Sequence, residues 1–208
     1  MQNNRLEEIL QRLQATQMEL AEEIDRLLEE KRRQFHYTVH RGRVTFERGM
    51  RELQRSYRQG LLRYILSSPL QHILTAPLIY AMIVPVVLVD LCFTLYQQIC
   101  FRTYGIPRVR RSQYLVIDRH QLPYLNAIEK LNCVYCGYGN GVMAYAREIV
   151  ARTEQFWCPI KHARRMAGAH LRSERFFEFG DAEAYREGLQ RIRGQWEEEA
   201  VFPPPPLA

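Results

Sequence analysis

No early apolar run opens this chain. Its first residues, MQNNRLEEIL, are polar and charged, so the expectation is a chain without a signal peptide. Lysine is scarce: of 29 basic residues, Lys31, Lys130 and Lys161 are the only lysines. The net charge of +6 is therefore almost wholly guanidinium, the form that suits phosphate or carboxylate recognition. A βαβ pattern is lacking before the Cys-x2-Cys at Cys133 and Cys136, which excludes a thioredoxin-like site. Gly137 follows Cys136 where covalent haem attachment needs histidine. Convincing strands are also few, and Tyr114–Ile117, bounded by Ser112 and Asp118, is the one expected. What remains is a mostly α reading of about two hundred residues, enough for one or two domains.

Charge is absent altogether from Tyr64 to Val89, inside a long apolar run that reaches Phe101. Residues 64–101 are long enough to cross a bilayer of about 30 Å. Pro69, Pro77 and Pro85 recur through the run, and each removes a helix hydrogen bond. Asp90 also lies within it, where a carboxylate needs a partner, water or the interface. Arginines flank both ends, with Arg51, Arg55, Arg58 and Arg63 before and Arg102, Arg108, Arg110 and Arg111 after. The positive-inside rule then favours neither end. The expectation is a proline-broken membrane segment, either a hairpin that returns to its own face, with Arg102 or the interface neutralising Asp90, or a single span; the bland alternative is a buried core hairpin of a soluble protein.

Ahead of that segment the chain divides by charge. Residues 1–34 carry Leu6, Leu13, Leu20 and Leu27 at seven-residue intervals, with Leu10, Gln17, Ile24 and Lys31 at the alternate seam positions. This predicts a coiled coil and a homo-oligomer; the alternative is one amphipathic helix lying on the chain's own body. Residues 1–30 hold three arginines against eight acidic residues, whereas residues 31–63 hold ten basic residues against two glutamates. In residues 35–63, Phe46, Met50, Leu53, Tyr57, Leu61 and Tyr64 recur at three or four, which predicts a basic amphipathic helix facing anionic lipid headgroups. Nucleic acid is the weaker rival, because no nucleic-acid motif accompanies the arginines.

The chemistry-bearing stretch runs from Asn132 to Arg165. Cys133 and Cys136, then Cys158 and His162 some twenty residues later, have Cys3His spacing and predict a structural zinc in a module spanning 102–180. Gly139-Asn140-Gly141 offers the positive φ values of a tight chelating turn. Met143, Ala146, Ile149, Val150 and Thr153 then predict a helix over Val142–Trp157, with Pro159 opening the next one and His162 on its first turn. The four ligands meet only if the chain folds back. His120 competes for the fourth position, and Asp118-Arg119-His120 is either an acid–base cluster or a cap with an ion pair. Two free cysteines beside an unrelated histidine is the bland alternative. Asp181 is the expected N-cap of a helix over 181–199, and the proline-rich 200–208 is expected to be a disordered tail.

Four blocks resemble a bacterial family of membrane-associated proteins marked by CxxCGYxNG and WCPIKHA motifs: APLIYAMIVPVVLVDLCFTLYQQICF, YGIPRVRRSQY, DRHQLPYLNAIEKLNCVYCGYGNG and EIVARTEQFWCPIKHARR. The resemblance covers Ala76 to Arg165, implies a bacterial setting, favours the metal reading, and brings no activity to carry over. Ser67-Ser68-Pro69 is also similar to the membrane hairpin of monotopic phosphoglycosyl transferases, though the Asp-Glu pair of those enzymes is missing here. The leading expectation is thus a zinc-binding adaptor or scaffold on the cytoplasmic face of a bacterial inner membrane, with an unidentified protein partner. An enzyme on lipid-linked or phosphorylated substrates is the alternative.

Overall fold

The computed structural model describes residues 2–196, with helical backbone alone for residues 2–11, 13, 14 and 17. The tail at 200–208 and the far end of the 181–199 helix lie outside the described residues. The protein is mostly helical and forms two compact units.

The first unit comprises residues 2–63 and Asp118–Lys130. Helix α1 (Gln2–Gln34) closes on Lys31, Arg32 and Arg33, cations that oppose the negative end of the helix dipole. The chain reverses at His36 (φ 49°) into a hairpin of β1 (Tyr37–His40) and β2 (Arg43–Phe46). Tyr37 pairs with Phe46 and His40 with Arg43. The loop is Arg41-Gly42 with φ of 47° and 75°, the double positive φ that a two-residue hairpin turn requires. The Gln121 amide ties the hairpin down, accepting from Val44 N at 2.7 Å and donating to Gly42 O at 3.0 Å. The expected single helix over 35–63 is therefore corrected. Thr38, Val39, Val44 and Thr45 are β-branched and take the pleated surface, and helical period holds only from α2 (Arg48–Ser56) onward.

Helix α3 (Leu61–Ser67) leads to the apolar run. There α4 (Leu70–Ala81), α5 (Ile83–Tyr96), a π-helical turn (Gln97–Phe101) and α6 (Arg102–Tyr104) join into one 35-residue helix, Leu70–Tyr104, of mean hydropathy 2.4. At 1.5 Å per residue it is about 52 Å long. It makes no return, so the hairpin alternative is not what the described chain adopts. Pro69 is the N-cap of α4, and Pro85 lies in the first turn of α5 just past a turn at Met82, where the helical ladder is interrupted and donors go unused. Pro77 alone is interior.

The second unit comprises Tyr64–Ile117 and residues 131–196. Gly105 (φ 70°) ends the long helix, and the chain doubles back along it. Tyr114–Ile117, the expected strand, has no ladder partner among the described residues and follows a 3-10 turn at Arg111–Gln113. It serves as a strap across α7 (Ala127–Trp157). Asn126 and Glu129 form a capping box at the start of α7: Asn126 Oδ1 accepts from Ile128 N and Glu129 N, and Glu129 Oε2 accepts from Asn126 N. The core packs Phe101, Ile106 and Val109 against Tyr145 and Ile149. Beyond α7, Pro159–Lys161 runs extended against Phe177, with Phe177 N donating to Pro159 O at 2.9 Å and Lys161 N to Phe177 O at 2.8 Å. Pro159 therefore opens no helix. Asp181 caps α8 (Ala182–Gly194) as the sequence indicates, accepting from Ala184 N at 2.9 Å.

Candidate functional site

The expected zinc ligands are not brought together. Cys133 and Cys136 lie on one side of the early turns of α7, and Cys158 follows its last residue. The helix between them is unbroken, and 22 residues at 1.5 Å each hold Cys136 and Cys158 about 33 Å apart. Partial burial and then the Glu154 carboxylate push the Cys158 thiol up, away from the thiolate that ligates metal. Among the described residues no three His, Cys, Asp or Glu side chains are grouped to hold an ion. His120 and His162 fall in different compact units.

The glycines that suggested a chelating turn have another use. Gly137, Gly139 and Gly141 all lie within the helix, and none has positive φ. Gly137 and Gly141 are buried one turn apart. A Cβ on Gly141 would stand 2.8 Å from Tyr114 O and 3.0 Å from Leu115 Cα. The missing side chain at Gly141 lets the strap lie directly on the helix, the role small residues play in close packing.

That strap carries Arg111 to Asp90. The guanidinium grips the carboxylate with both prongs, Nε to Oδ1 at 3.0 Å and Nη2 to Oδ2 at 2.6 Å. Tyr138, one residue after Gly137 on α7, donates its phenol to Asp90 Oδ2 at 2.8 Å. Burial first, and then this bond to a carboxylate, push the Tyr138 phenol up. Thr94 adds a longer contact to Oδ1 and meets the Tyr145 hydroxyl at 3.3 Å. One helical turn on, the buried Gln97 amide bonds the Tyr145 hydroxyl and both backbone groups of Val109. Asp90 is thus neutralised by Arg111, not Arg102, which is exposed. Its charge, costly on an apolar helix, becomes the point where helix, strap and α7 are joined.

A second polar node sits further along α7. Glu148 Oε1 accepts from Arg152 Nε at 2.8 Å and from Arg172 Nη2 at 2.8 Å. Arg152 also donates to Pro107 O and Arg172 to Gln155 Oε1. This fixes the Leu171–Arg175 turn to the helix and is structural cement.

The remaining sequence candidates are accounted for. Asp118 precedes the 3-10 turn Arg119–Gln121, and among the described residues no hydrogen bond or ion pair joins the Asp118, Arg119 and His120 side chains, so neither the acid–base cluster nor the internal ion pair is assembled. The Ser67 and Ser68 hydroxyls both donate back to Tyr64 O at the end of α3. Sequence reasoning missed Arg111 and Tyr138 as a pair of partners. The signal available was that Asp90 demanded a cation and that a basic cluster, Arg108 to Arg111, followed the run.

No family model, no curated protein and no solved structure matches this chain.

Proposed function

We propose that this protein is a non-enzymatic membrane-anchored adaptor of a bacterial inner membrane, with Leu70–Tyr104 as its anchor. The observation that carries the reading is the two-faced character of that helix. Only 6 % of its most apolar window is buried within the protein, and Leu74, Leu78, Leu88 and Leu91 stand exposed along it. An apolar surface of this extent needs lipid or protein to cover it. The opposite face is occupied by Tyr80, Asp90, Tyr96 and Gln97, all bonded to α7 or the strap. The stretch of α7 that runs beside it, residues 131–146, contains no charged side chain.

The five cysteines are free thiols, in keeping with a reducing cytoplasmic side for the folded part. The adaptor role rests on α1. Of the heptad leucines whose side chains are described, Leu20 is 53 % and Leu27 is 44 % exposed, so this face is available to a second copy.

Fractionation tests the anchor. Full-length protein should stay with membranes through alkaline extraction and leave only in detergent. Leu78→Asp with Leu88→Asp should move it to the soluble or aggregated fraction, since each carboxylate near a bilayer centre costs about 3 kcal/mol. Asp90→Asn should leave membrane attachment intact and lower unfolding stability by about 2–3 kcal/mol, through loss of charge-assisted bonds. Recovery of the unaltered chain in the soluble fraction would reject the reading.

A further inference from the structure

The first unit contains a cleft of about 580 Å³ that the anchor reading does not use. It lies between the hairpin, α2 and the Asp118–Tyr124 segment, all within that one unit. Its volume falls in the range of small-molecule sites. Phe35, Tyr37, Phe46, Met50, Leu53, Tyr57, Leu122 and Tyr124 make its walls mostly apolar and aromatic. Phe35, Leu53 and Tyr57 stay 45, 52 and 74 % exposed, far more open than a packed core tolerates.

Three polar features specify what would fill it. Gln54 lines the cleft, and its Oε1 is shielded from solvent without a hydrogen-bond donor among the described residues. A buried acceptor in that state costs free energy until a donor reaches it. Arg119, at the lining and exposed, makes no ion pair among the described residues and is free to take an anion. Asp118 lines the cleft beside Arg119 and can accept from a hydroxyl, whereas Arg48, Arg51 and Arg55 of α2 are exposed and lie outside the lining. The Gln121 amide, by contrast, is fully used in holding the hairpin.

We infer that this cleft binds the acyl chain of an anionic phospholipid with a hydroxylated headgroup. The aromatic walls take the chain, Arg119 takes the phosphate, and Gln54 Oε1 and the Asp118 carboxylate accept from headgroup hydroxyls. The inference rests on the anchor reading, because Tyr57 precedes the start of the apolar helix at Leu70 by only 13 residues of chain. A lipid-gripping unit so tethered would press the basic 31–63 segment onto the membrane surface.

The test uses full-length protein in phosphatidylcholine nanodiscs doped with phosphatidylglycerol that carries a photoactivatable diazirine on its acyl chain. After irradiation, adducts are mapped by peptide mass spectrometry. Adducts are expected on cleft residues such as Met50, Leu53 and Tyr124, and separately on the exposed face of Leu70–Tyr104. Leu53→Trp, which fills the cleft from an exposed helix position, should cut the cleft adducts about tenfold and leave the helix adducts unchanged. Arg119→Gln should lower the cleft adducts specifically. Helix adducts without cleft adducts would overturn this inference and leave the anchor standing. Loss of the helix adducts would overturn both. Equal cleft labelling by diazirine-bearing phosphatidylcholine would overturn the anionic selectivity, and cleft crosslinks between two protein copies would assign the cleft to self-association.

Discussion

The two units are built on opposite plans. In the second, fully enclosed side chains such as Phe101, Val142, Tyr145 and Ile149 interlock, and polar nodes at Asp90, Gln97 and Glu148 stitch strap to helix. In the first, Ala21 is the one buried hydrophobic among the described residues, and Leu20, Leu53 and Tyr57 stand open. The difference divides the labour. Stability resides where apolar area and satisfied polar bonds coincide, and surfaces left open are where a lipid, a second chain or a partner can add what the unit lacks.

The contrast is sharpest for one substitution in each unit. Phe101→Ala removes a fully buried ring from the second-unit core and should cost about 3–5 kcal/mol. Leu53→Ala removes a half-exposed side chain from the first and should change stability by no more than about 0.5 kcal/mol. Chemical denaturation in detergent, followed by far-ultraviolet circular dichroism, reads both. Similar losses would mean that the first unit buries more than its structure shows.

A finer division runs within α7. Gly141→Ala drives a methyl toward Tyr114 O, a backbone atom that cannot swing aside, and should destabilise by about 1–3 kcal/mol. Gly139→Ala, two residues away, meets nothing within 4 Å. It should stabilise by up to about 1 kcal/mol through helix propensity alone. Effects of opposite sign in thermal unfolding would establish that the strap, rather than a turn, is what these glycines serve. Equal effects would remove that explanation.

The same glycines show what sequence alone conveys here. Residues whose preferences and partners are local were legible: the charge-free run, the helix of residues 2–34, and Asp181 as a cap bonded to Ala184 three residues on. The hairpin was legible in principle from Arg41-Gly42 between β-branched residues, but the helical spacing that begins at Phe46 was extended back across it. What could not be read was set by contacts distant in sequence. CGYGNG has the composition of a turn, yet it is helical, and its last glycine makes room for a strap from 114–115. Asp90 finds Arg111 only because the chain doubles back after Gly105.

The smallest expected effect follows from that reading of α7 and bears on the expected metal. Cys136 is exposed on an unbroken helix, about 33 Å along the axis from Cys158. Zn–S bonds of about 2.3 Å cannot bridge that gap, so no single ion can be shared by the two pairs while α7 is intact. Cys136→Ser should then shift the unfolding free energy by no more than about 0.5 kcal/mol, like other exposed substitutions. Treatment with a chelator should likewise leave the helical circular dichroism unchanged. The opposite result is equally definite. One zinc per chain by elemental analysis, lost together with stability in Cys136→Ser, would require α7 to break near Gly137–Gly141 so that Cys158 and His162 could fold back. Gly141→Ala would distinguish the two states again: in the broken form the strap contact no longer exists, and the methyl would carry no penalty.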